Sequence, residues 1–564
     1  MRGTACGCLQ RERKPARLLV AGSPPIWHPA AVDEPREPEI SARAPARMGA
    51  RAALVSAATM LSRVLGLVRE QLFAALLGAS AFADAFVVAF RIPNLLRDLF
   101  AEGALSAAFV PTFADALRNQ GRERAVRLAN VVIGAVLVVV GGVTLVGILF
   151  SPQLVEAMAP GFSAVEGKRE ITVLCTRIMF PFLPLVSLAA VTMGQLNAQE
   201  RFGPPAFASA LFNVVAIVGG AFLFLAGAQD EQAVIGWSVF TLLGGAAQLL
   251  VQLPAVRALG YRFRLIVDFA DPGLRRIARL MGPATVGLAA TQVNLFVNTI
   301  FASRVEGAPA WLSYAFRLMQ LPIGVFGVAV ATIATAGLAR RAAERDLEGM
   351  RATLDQGLRL VAFLTVPSMI GLVALREPIV RLLFEHGRFG PADTVATAWA
   401  TLGYAVGLYA YAGVKVVAPA FYALDRARVP LYASVSAVAA NLLANVLLFP
   451  ALSYRGLALG TSVAATLNFA VLVFAFRRGH GLRLRPIAGH FARVFLAAIP
   501  CGLAAAAVAR LCESALGVEA VSSRIVVVGL AIAAGGLCYA LACRLLRVPE
   551  LGELLAFAAR RLRR

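Results

Sequence analysis

The chain is expected to be an all-α polytopic membrane protein. About fourteen transmembrane helices would form two six-helix lobes in parallel pseudo-twofold repeat, plus two extra C-terminal helices. Three observations predict this. Of 564 residues, 59% are hydrophobic and only 15% charged, with a mean hydropathy of +0.74, whereas soluble domains sit near ~25% charged. Apolar runs of the roughly 20 residues needed to cross a bilayer recur fourteen times. Short motifs also return at nearly one offset. Ala89-Phe90-Arg91 reappears as Ala315-Phe316-Arg317, 226 residues on, and Arg201, Pro205, Ala208 and Ser209 reappear as Arg426, Pro430, Ala433 and Ser434, 225 residues on.

In chain order, residues 1–47 are Arg-, Pro- and Ala-rich with no run long enough to span. They read as a disordered cytoplasmic tail, or as a mis-assigned start with Met48 as the first residue. The expected spans are 52–78, 81–116, 126–150, 171–198, 206–228 and 232–256 in an N-lobe (48–258). The C-lobe (273–478) holds 275–303, 309–339, 354–375, 391–424, 429–450 and 456–476. Spans 491–512 and 524–546 lie in the remaining segment, 489–546, and 547–564 is a basic tail. Each lobe holds an even number of spans, so the halves share one orientation, and a pseudo-twofold axis along the membrane normal follows. Pro93, Pro111, Pro181, Pro184, Pro283, Pro322, Pro367 and Pro419 lie within spans and are expected to kink them.

The net charge of +22 is almost all arginine. The arginines fall between apolar runs, as the positive-inside pattern requires, rather than in a nucleic-acid-binding patch. Arg118–Arg127, Arg257–Arg279, Arg340–Arg351, Arg477–Arg485 and the C-terminus share one side, which puts both termini in the cytoplasm. The opposite loops are poorer in basic residues, and the longest of them, 377–391, is a candidate amphipathic surface segment. Seven cysteines and four histidines show no metal-ligand spacing. No acidic diphosphate–metal run, nucleophile elbow, P-loop or zinc-protease motif occurs, so neither enzyme chemistry, a metal nor a cofactor is expected.

The charges inside the first two spans define the candidate site. Arg63, Arg69, Glu70, Asp84, Arg91, Arg97, Asp98 and Glu102 lie in apolar sequence, where each would cost about 2.5–3.5 kcal/mol at a lipid-facing helix centre. Arginine keeps its charge and its planar fork grips phosphate oxygens. Arg63 and Arg69 stand about 9 Å apart along a helix, and Arg91 and Arg97 repeat the spacing. One reading is an electropositive cavity for an anionic headgroup; the other is a set of structural ion pairs, with Asp98 and Glu102 holding an arginine. Arg317 has no acid nearby before Glu344, so its counter-charge must come from the other lobe or from a ligand. Lys415, one of three lysines, is either a coupling group or a snorkelling one. Asp84 could pair an arginine, gate, carry a proton, or simply favour a helix N-terminus.

The stretches SRVLGLVRE, DAFVVAFRIPNLLRDLFAEGALSAAFVPTF, NAQERFGPPAFAS, AFRLMQLPIGVFGVAVATI, EHGRF and VKVVAPAFYALDRARVP resemble the MurJ (MviN) family of lipid II flippases, of the multidrug/oligosaccharidyl-lipid/polysaccharide exporter superfamily. The resemblance covers roughly residues 50 to 550. It implies lipid II, the undecaprenyl-diphosphate-linked peptidoglycan precursor, as substrate. It also implies residence in the bacterial inner membrane, a role in cell-wall synthesis and cell shape, and peptidoglycan synthesis proteins as candidate partners beside membrane lipids. It further implies a lipid-tail groove in 489–546. By match to the family's motifs, Arg63, Arg69, Arg97 and Arg317 are substrate-binding candidates, and Asp84, Glu102 and Lys415 gating or coupling candidates. Relatives often carry acids beside the eighth-span arginine; here those places are Phe316 and Gln320. Gly403–Val417 lacks the Asn and Asp of the family's sodium set, so no sodium site is expected. Rival readings are an exporter of another polyprenyl-linked glycan or of drugs, and a non-transporting cell-wall scaffold.

Overall fold

The computed structural model describes residues 43–97, 104–553 and 556. The chain divides into two units, 1–52 and 53–564. Of the first, the described residues 43–52 are helical, so helix reaches into the segment expected to be a tail. Pro45 sits in that first turn, where an N–H would lack a partner anyway.

Among the described residues every regular element is helical. The first half runs α1 (Arg43–Leu77), α2 (Ala81–Arg97), α3 (Ala104–Asn119), α4 (Arg122–Leu149), α5 (Ser151–Met158), α6 (Lys168–Met179), α7 (Phe182–Asn197), α8 (Gly203–Leu225), α9 (Asp230–Leu250) and α10 (Leu253–Ala258). The second runs α11 (Pro272–Ala302), α12 (Ala308–Pro322), α13 (Val328–Ala343), α14 (Leu347–Ala374), α15 (Arg376–Phe384), α16 (Pro391–Ala405), α17 (Leu408–Ala423), α18 (Arg428–Leu452) and α19 (Tyr454–His480). Helices α20 (Leu484–Leu516) and α21 (Val521–Leu545) follow as a hairpin. Ten helical stretches are long and apolar enough to cross a membrane, or eleven if α16 and α17, bent by 41° at Val406-Gly407, count as one span. The other three expected spans fall on α1, on α2 with α3, and on α11; part of each lies outside the described residues or has side chains that do.

The two halves follow one plan. Short α5 and α15 occupy the same place after α4 and α14, and both fourth spans are broken, α6/α7 at Pro181 and α16/α17 at Gly407. Helix α15 lies in the segment expected to be amphipathic. Span eight stays helical but widens after Pro322, whose missing N–H cannot join the α-helical ladder, and Ile323–Gly327 forms a π-helical turn within it. Packing uses small residues and buried amides, as lipid offers no hydrophobic drive between helices. Asn445 donates to Asn298 at 2.6 Å and to Asn441 at 3.0 Å, and Asn298 donates to Thr461 at 3.0 Å, which ties α11, α18 and α19. Gly535 of α21 lies against Cys501 and Ala505 of α20, and Gly502 of α20 against Ile370 of α14. Arg524 donates to the carbonyls of Arg381 (3.3 Å) and Glu385 (2.7 Å), fastening the hairpin to the end of α15.

At the arginine-poor end the halves close on each other. Phe73, Phe86 and Trp237 of the first half share a core with Tyr314, Phe384 and Phe389 of the second. Loop 385–390 seats on the α1–α2 turn: Arg388 N–H donates to Ala75 O at 2.9 Å, and Tyr314 Oη donates to Gly78 O at 2.9 Å. Gly78 and Gly387 both take positive φ (63° and 58°), and a Cβ on either would strike the facing backbone. The first half repeats the move. The Gly161 N–H donates to Ser303 Oγ at 3.2 Å, and its Cα lies against the Ser303 carbonyl. Gly387 stands 226 residues beyond Gly161, the offset of the sequence repeat.

Candidate functional site

Below this seal, α1 presents Arg63, Arg69 and Glu70 toward α12. Residues 57–68 of α1 are largely exposed, whereas residues 70–77 are largely buried beneath the seal. Glu70, buried, accepts from two arginines: Arg69 Nη2 at 2.6 Å and Arg317 Nη2 at 2.8 Å. The Arg317 side chain keeps 45% of its surface exposed and that of Arg69 13%. Arg69 also lies 5.3 Å from the Phe212 ring centre, a cation–π contact. The missing counter-charge of Arg317 therefore comes from the other half of the chain, one of the two sources its sequence left open. Arg63 rests its guanidinium against Gly324 in the π-helical turn of span eight; a side chain there would displace it. Arg91 donates to Thr299 Oγ1 of α11 at 2.6 Å. Of these, Arg63, Arg91 and Arg317 each touch the opposite half.

Arg97 closes α2 and has interactions of its own. Glu102 and Asp98 lie outside the described residues. Lys415 is exposed on α17, and among the described residues it forms no ion pair with an acid.

Asp84 is fully buried and joins three elements. Its Oδ2 accepts from Lys168 Nζ at 2.7 Å and from the Gly307 N–H at 2.8 Å, and Oδ1 accepts from the Ala310 N–H at 3.0 Å. A carboxylate of one half thus caps the N-terminus of α12 in the other, where unpaired N–H groups and the helix dipole favour an anion. Lys168, itself buried and 4.4 Å from the Phe162 ring centre, is a partner of Asp84 that sequence reasoning missed. Its one signal was rarity: a lysine in an arginine-dominated chain. Glu70 was visible as a charge in the first span, but not as the partner of Arg317.

At the arginine-rich end, Arg124 grips Asp271 bidentately at 2.7 and 2.9 Å. That guanidinium holds the Asp271 carboxyl below the usual carboxylate range, with the Gly273 and Leu274 N–H groups adding to it against the opposing pull of burial. Among the described residues no cluster of three or more His, Cys, Asp or Glu side chains is placed to hold a metal.

The family profile described as "Lipid II flippase MurJ" matches residues 73–528. The chain belongs to the MurJ family. A probable lipid II flippase MurJ of Rhizobium meliloti is 38% identical over 452 residues, covering 79% of this chain and 84% of that one. A probable lipid II flippase MurJ of Vibrio cholerae is 36% identical, covering 74% and 81%, and the lipid II flippase MurJ of Burkholderia cenocepacia 35%, covering 75% and 83%. Among solved structures, a MurJ in an inward closed conformation superposes with a TM-score of 0.72 at 23% identity, covering 87% of this chain and 99% of that one. An inward-facing multidrug transporter of the MATE family reaches 0.63 at 16% identity, covering 78% of this chain and 98% of that one. MurJ membership makes this a multi-pass transporter rather than an enzyme, and the MATE likeness shows that the fold is shared with that transporter.

Proposed function

We propose that the chain flips lipid II between leaflets of the bacterial inner membrane by alternating access, with both termini cytoplasmic, to supply cell-wall synthesis. The observation that carries this reading is the Arg69–Glu70–Arg317 bridge: two arginines from opposite halves share one carboxylate oxygen, with Arg63 on the same helix as Arg69. A diphosphate offers several oxygens to these forks, so it displaces Glu70 and gathers Arg63, Arg69 and Arg317 onto one anion. The mobile partner of that exchange is Arg317, the more exposed arginine of the bridge.

The closed arginine-poor end and the exposed stretch 57–68 of α1 support substrate entry from the arginine-rich, cytoplasmic side. Release on the other side requires Asp84 to leave the α12 N-terminus and the two glycine contacts to part. Lys168 stays with Asp84 through that step, because both belong to the first half, and keeps the carboxylate paired while α12 withdraws. Moving a charge across the membrane couples to potential at about 2.3 kcal/mol per charge per 100 mV, which supplies a driving force. Membrane lipids and the proteins of peptidoglycan synthesis are the expected partners.

The arginine excess also favours this reading over a drug exporter, whose cationic cargo these side chains would repel. The test is complementation of a flippase-depleted bacterium, with lipid II translocation measured in parallel. Arg69→Ala and Arg317→Ala, expressed and folded normally, are expected to fail in both; growth and translocation at parental rates would overturn the site.

A further inference from the structure

The two halves are joined by residues 259–271, which leave α10, climb along α4 and return. The Leu259 carbonyl accepts from Arg122 near the start of α4. Farther along, Asn130, buried on α4, grips the backbone reciprocally: its Nδ2 donates to Arg262 O at 3.1 Å and its Oδ1 accepts from the Arg264 N–H at 3.1 Å. The Ile266 carbonyl lies against Gly134, where a Cβ would collide with it. The chain then descends through Asp268, paired with Arg127, to Asp271, paired with Arg124. From Arg122 to Gly134 this climb is about 18 Å at 1.5 Å per residue.

What the linker shows outward does not suit water. Phe263, Leu265, Val267 and Phe269, at alternate positions, keep 62%, 62%, 50% and 51% of their surfaces exposed. At the start of this row, Phe263 borders a mostly apolar cavity of about 780 Å³, lined also by Ile133 and Leu137 of α4, Leu188 of α7, Leu253 of α10, and Tyr261. Helix α4 is long and apolar enough to cross the membrane and ends at Leu149. Counting back the roughly 20 residues that fill the hydrocarbon core places its boundary near Asn130. The apolar row thus sits level with the edge of the acyl chains. Irregular backbone is not tolerated in lipid where its polar groups lack partners, which sets the segment at the headgroup boundary rather than deeper. Arg257, Arg262 and Arg264, all exposed, surround it with positive charge, the arrangement that binds anionic headgroups.

We propose that this linker is a membrane-seated element. Phe263, Leu265, Val267 and Phe269 insert at the headgroup–acyl boundary of the leaflet on the arginine-rich side, and Arg257, Arg262 and Arg264 contact its anionic headgroups. The inference rests on the membrane-spanning orientation proposed above. The connector between the lobes then moves against lipid rather than against water.

The test places the full-length protein in lipid nanodiscs containing an anionic phospholipid and compares tryptophan emission of Leu265→Trp and Val267→Trp with the parent. Lipids brominated near the headgroup end or near the methyl end of the chain serve as quenchers. The expected result is blue-shifted added emission, quenched about twofold more by the shallow bromine, as an insertion of some 5–10 Å requires. Red-shifted, unquenched emission would place the row in water and overturn the proposal. Blue-shifted, unquenched emission would place it against protein and overturn it equally. Val139→Trp, on the exposed face of α4, separates the two readings. If it too escapes the deep bromine, the spanning orientation is wrong; if it is quenched and position 265 is not, only the linker inference fails.

Discussion

Replacing Glu70 by glutamine tests whether this carboxylate competes with the substrate for the arginines. The amide keeps the shape and one acceptor oxygen but removes the charge that Arg69 and Arg317 share. A hydrogen bond to a charged group contributes about 1.5–3 kcal/mol and a neutral one about 0.5–1.5, so the 2.6 Å bond to Arg69, 13% exposed, loses roughly 1 kcal/mol. The 2.8 Å bond to Arg317 belongs to a side chain 45% exposed, where an ion pair contributes only about 0–1 kcal/mol. Together they release about 1.5 kcal/mol, near the 1.4 kcal/mol that equals tenfold in affinity. Glu70→Gln should therefore bind lipid II about tenfold more tightly in detergent, while translocation in liposomes slows because the anion is held longer. Affinity by titration and rate by a leaflet-accessibility assay give the two numbers. Unchanged or weaker binding in a variant with a parental unfolding midpoint would refute the competition and leave Glu70 as a residue that only orients the arginines.

Lys168→Met should strand Asp84, which is fully buried, and destabilise the protein by about 3–5 kcal/mol; thermal unfolding reads this, and adding Asp84→Asn should recover part of it. Gly387→Ala should keep loop 385–390 off the α1–α2 turn, since φ there is 58° and the new methyl meets Ala75 O; thiol labelling of a cysteine at Ser80 should rise at least about tenfold if a 1.4 kcal/mol closure is lost. The Asp271 carboxyl is depressed by Arg124, and a carboxylate with a lowered folded pKa stabilises above its unfolded value and loses that as pH falls through the folded one. The stability gap between the parent and Asp271→Asn should therefore hold at neutral pH and close only below about pH 4.

Much of this architecture was legible because a bilayer punishes disorder in the pattern. Long apolar runs, the break at Pro181, the π-helical turn after Pro322, and the recurrence of Ala-Phe-Arg all survive as local signals. Arg63, Arg69 and Arg317 stood out for the same reason: charge in an apolar run needs an explanation. What stayed hidden was pairing at long range. Glu70 and Arg317 lie in opposite halves, and nothing in either neighbourhood names the other. Asp84 carried several local readings, but its partners, Lys168 and the α12 N-terminus, come from two other elements. Backbone N–H groups of a helix end leave no trace in residue identity, so half of that contact had no sequence signal. The climb of 259–271 along α4 was equally silent, because its farthest contacts rest on one asparagine and one glycine whose types are unremarkable in a membrane helix.

The glycine contacts at the arginine-poor end come as a pair, Gly161 on Ser303 and Gly387 on Ala75. Each half supplies the wedge for the other's turn. Closure at this end therefore rests on both wedges at once, one from each half. A side chain added to either wedge in one half thus changes the fit of a turn encoded in the other, so the two halves must be matched at these four places.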